Sequence, residues 1–140
     1  MSRVDFYVLS EESPDARLRY ACRLAERAVE QGCYVYLQTP EPQRLDDMLW
    51  TFNDRSFLPH EMFTGGPASH ARVMVMLGAT AGPASHRGLL INLTDAMPPD
   101  VNAYDRIAEI VDVDPERKRN ARDRYKLYRE QGCTMESHNL

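Results

Sequence analysis

The sequence predicts an α/β domain built on a mostly parallel sheet of about five strands, and three neighbouring features carry that expectation. Val4 to Leu9 (VDFYVL) is a short β-branched and aromatic run of the kind that forms a buried strand. Leu18, Cys22, Ala25 and Val29 then recur at spacings of 4, 3 and 4, an apolar stripe with helical period. Cys33 to Leu37 (CYVYL) follows at once as a second strand. A strand, a helix and a strand joined this closely require a crossover, which makes the strand pair parallel.

The remaining elements follow in order. Ser13-Pro14-Asp15 offers the first helix an N-cap, a first-turn proline and an acid, and Gly32 a C-terminal stop. Pro40 and Pro42 break the chain before a second helix over Gln43 to Thr51, with Leu45, Met48 and Leu49 as its apolar side. Phe52 to Ser69 is rich in turn residues. Arg72 to Leu77 (RVMVML), Leu89 to Leu93 (LLINL) and Ile107 to Val113 read as the third, fourth and fifth strands. A last helix runs from Pro115 to Gln131 and stops at Gly132, leaving residues 133–140 as an expected frayed tail behind a single domain of residues 1–132.

At 140 residues the chain is long enough to bury a core without staples. Its 43% hydrophobic and 27% charged content is that of a soluble globular protein. No stretch reaches the roughly 20 apolar residues of a membrane span, and the N-terminus lacks the apolar core of a signal peptide. Cys22, Cys33 and Cys133 are scattered and odd in number, which fits a reducing cytoplasm and argues against a structural zinc site.

The net charge of −4 conceals an uneven distribution. Pro115 to Gln131 holds seven Lys or Arg against three acids, a net +4 that leaves −8 on the rest of the chain. One basic element on an acidic body points to a local anionic partner and away from a surface built for non-specific nucleic-acid binding.

Catalytic patterns are sparse. The first strand-to-helix loop, Leu9-Ser10-Glu11-Glu12-Ser13-Pro14, has no phosphate-cradling glycines, and its paired glutamates would repel a phosphate. Cys22 lies on the apolar stripe and reads as core. Ser69 and Ser85 precede histidines but sit in no nucleophile elbow, and His60, His70 and His86 have no metal-ligand spacing. The phrase Gly66-Pro67-Ala68-Ser69-His70 recurs as Gly82-Pro83-Ala84-Ser85-His86, each copy ahead of an apolar strand. It reads as two similar loops entering neighbouring strands, with a duplicated ligand loop as the alternative.

Two patches suggest binding instead. Trp50, the sole tryptophan, ends the second helix, with Phe57 and Pro59 just beyond. It either caps the core or stands out as an aromatic anchor of the kind that dominates protein–protein interfaces. In the last helix Lys118, Arg122, Tyr125, Lys126 and Arg129 share one face, a one-signed stripe around an aromatic ring, with Ala121, Leu127 or Tyr128 left for the core side.

These features together resemble the chi subunit family of bacterial DNA polymerase III. The resemblance spans nearly the whole chain. It lies in VDFYVL, the helix ending at Gly32, L-D-x-x-L-W (Leu45 to Trp50), S-F-x-P-H (Ser56 to His60), LLINL and R-x-R-Y-K-x-Y-R (Arg122 to Arg129). It implies a three-layer α/β/α domain that is nucleotide-binding-like without a phosphate loop, with no cofactor and no catalysis. It implies two partners during DNA replication: the psi subunit of the clamp loader, facing Trp50, Phe57 and Pro59, and the C-terminal peptide of single-stranded-DNA-binding protein, facing Lys118, Arg122, Tyr125 and Lys126. That peptide is acidic and ends in a phenylalanine, so cations would pair its carboxylates while an apolar pocket takes the ring. The alternative is direct single-stranded nucleic-acid binding by the same basic helix.

Overall fold

The computed structural model describes residues 2–53, 58–70 and 72–140. Its elements in order are β1 (Arg3–Val8), α1 (Ala16–Glu30), β2 (Val35–Gln38), α2 (Pro42–Thr51), β3 (His60–Met62), β4 (Val75–Gly78), β5 (Leu89–Asn92), β6 (Arg106–Val111), α3 (Pro115–Glu130) and β7 (Thr134–Asn139). The strands form one sheet in the order β3-β4-β2-β5-β6-β1-β7, and every pairing is parallel.

The α/β class and the parallel sheet agree with the sequence, but seven strands replace the expected five or so. Both additions are sheet edges. β3 is only three residues long, too brief to show a period. β7 corrects the expected frayed tail: residues 134–139 pair along β1 from Arg3↔Thr134 to Val8↔Asn139. The sequence TMESHN lacks the apolar alternation that marks a half-buried strand, because most of its side chains are exposed at the edge.

Alternation along the strands sorts the core into two layers. In β6, Ala108 and Ile110 face α1 and α2, whereas Ile107 and Val111 face α3. Leu18, Cys22 and Ala25 of α1 pack with Leu45 and Leu49 of α2 over the first face. Ala121 and Tyr128 of α3 pack over the second with Phe6, Tyr36 and Leu90. The result is the three-layer arrangement.

Helix ends follow local chemistry with one departure. Gly32 and Gly132 take φ of 82° and 83°. Behind each, the amides of the glycine and of the following cysteine bond back to carbonyls of the last turn. Ser13, expected as the cap of α1, instead closes a turn: its hydroxyl accepts from the Asp15 amide and its carbonyl from Ala16, so α1 starts at Ala16.

The repeated Gly-Pro-Ala-Ser-His loops precede β4 and β5, and the two copies do different work. His86 is buried and its Nε2 lies 2.8 Å from the Val73 carbonyl oxygen, tying the second loop to the chain after the first; His70 is exposed. A Cβ on Gly82 would come within 2.5 Å of the Tyr36 ring, whereas Gly66 faces open space. Only the second copy needs its glycine for close approach.

Candidate binding sites at the two sheet edges

The inner face of α3 is unusual in being held by a buried polar network. Glu109 on β6 is 1% exposed. Its Oε1 accepts from Arg124 Nη2 (3.1 Å), and its Oε2 from Arg124 Nε (3.2 Å), the Tyr128 hydroxyl (2.6 Å) and Asn92 Nδ2 (2.9 Å). Arg124 Nη1 also donates to the Asp95 carbonyl. Burial pushes the Glu109 carboxyl above the ordinary range, and Arg124 with Tyr128 draws it back. The first turn is pinned separately. Asp114 accepts from the Arg117 amide, and the Arg117 guanidinium grips both oxygens of Asp112 at 2.8 and 2.7 Å. The expectation that Leu127 helps cover the core side is corrected: Leu127 is 43% exposed, and Arg124 takes that role with Ala121 and Tyr128.

With the inner phase fixed, the outer one follows from 100° per residue. Lys118, Arg122 and Tyr125 fall beside a cavity of about 250 Å³ between α3 and the β6-β1-β7 end of the sheet. Phe6, Val8, Val111 and Ala121 form its apolar wall, and Ser137 of β7 closes one side. Tyr125 packs on Phe6 with ring centroids 5.2 Å apart. Among the described residues neither Lys118 nor Arg122 has an ion-pair partner. Two cations without an ion pair among the described residues therefore rim an apolar hollow. Lys126 is exposed and does not line it: eight residues past Lys118 it has turned roughly 80° away.

Several wall residues carry little signal of this role in the sequence. Phe6 and Val8 share a face of β1, so the period-2 pattern of VDFYVL contained that signal. Ser137 has none, since TMESHN carries no apolar strand pattern.

At the other end of the sheet, Trp50 is 58% exposed, which decides between its two readings in favour of the outward one. Leu45 and Leu49 are buried, and Trp50 lies about 140° around α2 from Leu45, so it cannot share their face. Pro59 is exposed nearby, ahead of β3. Phe57, expected with them, lies outside the described residues. The imidazole of His60 meets the indole edge-on, with centroids 4.9 Å apart.

One further grouping has metal-type ligand atoms: Asp5, Glu136 and His138. Asp5 is buried and already receives Arg3, Arg106 and His138, and Arg3 also pairs with Glu136. Two guanidinium groups beside those carboxylates disfavour a dication. Burial raises the Asp5 carboxyl, but the three hydrogen bonds outweigh it, and Asp5 is held below the usual range.

Fold and geometry define a class: an α/β/α domain with a cation-rimmed apolar pocket at one sheet edge and an exposed tryptophan at the other. Residues 1–136 match the family model described as DNA polymerase III chi subunit, HolC. DNA polymerase III subunit chi of Pseudomonas aeruginosa is 45% identical over 143 residues, covering 100% of this chain and 98% of that protein. The subunits chi of Haemophilus influenzae and Escherichia coli are 29% and 26% identical, each aligned over 96% of this chain. The chain belongs to the DNA polymerase III chi subunit family, accessory subunits of the bacterial replicative polymerase.

Proposed function

We propose that this chain is a non-catalytic adaptor acting in the cytoplasm, with its α3 pocket holding the acidic, phenylalanine-terminated tail of single-stranded-DNA-binding protein. The observation that carries this reading is an apolar hollow rimmed by two cations that make no ion pair among the described residues. A C-terminal phenylalanine is the complementary ligand, since its ring fills the wall of Phe6, Val8 and Tyr125 while its carboxylate meets Lys118 or Arg122. At about 250 Å³ the cavity is smaller than the roughly 300–1,000 Å³ of drug-sized ligand sites, and it suits one aromatic side chain with its carboxylate. Lys126, outside the pocket, would serve the acidic residues upstream of that terminus.

The second partner is the psi subunit of the clamp loader, docking on Trp50 and Pro59, with Phe57 carried by the family resemblance. Trp50 is the side-chain type that anchors interfaces, and it is already exposed. The sheet order supports a linking role. β3 and β7 are its two ends, six interstrand spacings or roughly 29 Å apart, so partners at the two edges need not compete.

The test is titration of an acidic peptide ending in Phe against wild type, Arg122→Ala and Lys118→Ala. Micromolar binding that weakens with salt and falls about tenfold in each variant supports the reading. Equal affinity in all three proteins contradicts it. Tight, salt-steep binding of bare single-stranded DNA would instead favour direct nucleic-acid recognition by α3.

A further inference from the structure

The Trp50 ring does not stand alone at its edge of the sheet. α2 places Asp46 and Trp50 four residues apart, on one helix face. His60, the first residue of β3, packs against both, and its side chain is 1% exposed. Its Nδ1 lies 2.8 Å from the Leu58 carbonyl oxygen, which can only accept, so Nδ1 carries a hydrogen. Its Nε2 lies 3.1 Å from Asp46 Oδ1. The ring is thus fixed by the Leu58 carbonyl just ahead of β3, with the Asp46 carboxylate of α2 against its other nitrogen. Held so, it presents an edge to the indole at an interplanar angle of 64°. This is a preferred aromatic geometry.

We propose that His60 and Asp46 are positioning residues for the Trp50 docking surface, fixing the indole in its outward orientation before a partner arrives. The proposal rests on the reading of Trp50 as the psi-facing anchor. Its physical content is preorganisation. A large side chain that is half exposed and unsupported samples several rotamers, and a partner must arrest them on binding. His60 removes part of that cost in advance, and Asp46 keeps His60 from turning away. The same contacts tie the short edge strand β3 to α2, so the backbone that carries Pro59 is aligned with the indole.

The test uses the sole tryptophan as its own probe. The near-ultraviolet circular dichroism band beyond 290 nm and the fluorescence anisotropy both report Trp50 alone, and psi binding is measured on the same proteins. His60→Ala and Asp46→Ala should lose the dichroism band, lower the anisotropy, and weaken psi binding roughly three- to tenfold, the ordering cost of one side chain. His60→Gln, whose side-chain amide can donate to Asp46, should recover part of all three signals. Asp47→Ala removes an exposed carboxylate that accepts from Gln43 on its own helix, and it should change none of them. If His60→Ala disrupts the edge strand, Asp46→Ala carries the test, since that side chain is only partly buried. Should Trp50→Ala abolish psi binding while His60→Ala and Asp46→Ala match wild type in spectra and affinity, the positioning role is overturned and the docking reading stands. Should Trp50→Ala leave psi binding intact, the docking reading falls and takes the proposal with it.

Discussion

Replacing Arg124 by methionine tests what holds α3 in phase on the sheet. The substitution keeps an unbranched stem but removes both guanidinium bonds to Glu109 and the bond to the Asp95 carbonyl. Glu109 would retain Tyr128 and Asn92 as donors, yet no positive charge would offset its burial at 1% exposure. Breaking one side of a buried ion pair costs about 3–5 kcal/mol. For a domain of this size each kcal/mol corresponds to roughly 3 °C in Tm, so Arg124→Met should melt about 10–15 °C below wild type. The deficit should also depend on pH. Burial already holds Glu109 above the ordinary carboxylate range, and losing Arg124 raises it further. A carboxyl that binds its proton more tightly when folded favours folding below its unfolded value, and that advantage is lost as pH rises through the folded value. The variant should therefore sit nearest wild type in acid and fall away towards neutrality. Glu109→Gln/Arg124→Met removes the stranded charge, so its loss should be smaller than the two single losses added. Urea unfolding across pH, with calorimetry, measures all of this. A single variant melting within 3 °C of wild type at pH 7, or with a deficit flat in pH, would refute the reasoning.

Two further outcomes follow from the same chemistry. Cys22 is buried in α1 and its thiol is pushed up to about 12 by desolvation, while Cys33 is part-exposed. A disulfide reagent should label Cys33 rapidly and Cys22 only as fast as the chain unfolds; quick modification of Cys22 in the native protein would contradict its place in the core. Asp5 is held below its ordinary 3.8 by His138, Arg3 and Arg106 despite burial, so its stabilisation is present above that value and drains away as pH falls beneath it. Asp5→Asn should be less stable at pH 7 and show a shallower acid limb, whereas parallel wild-type and variant curves would rule this out.

The sequence was legible where side-chain periodicity and burial agree. β1, α1 and β2 were found because their apolar residues face one core layer or sit between two, and α3 because Pro115 and Gly132 bracket it. β3 and β7 escaped because edge strands have little buried area to impose a pattern on three or six residues. The cationic rim of the pocket was legible as a charge stripe on α3, but the wall was not. Phe6, Val8, Val111 and Ser137 come together only through parallel pairing of strands distant in the chain. Arg124 escaped for a different reason. An arginine in a basic helix reads as solvated, and nothing in the local sequence reveals that Glu109 waits beneath it.

The central claim is that opposite edges of one sheet hold two partners at once, and titrating psi with and without saturating Phe-terminated acidic peptide tests it most directly. The account predicts unchanged psi affinity in the presence of peptide, loss of peptide binding alone in Arg122→Ala, and loss of psi binding alone in Trp50→Ala. Competition between the two ligands, or one substitution abolishing both, would contradict it.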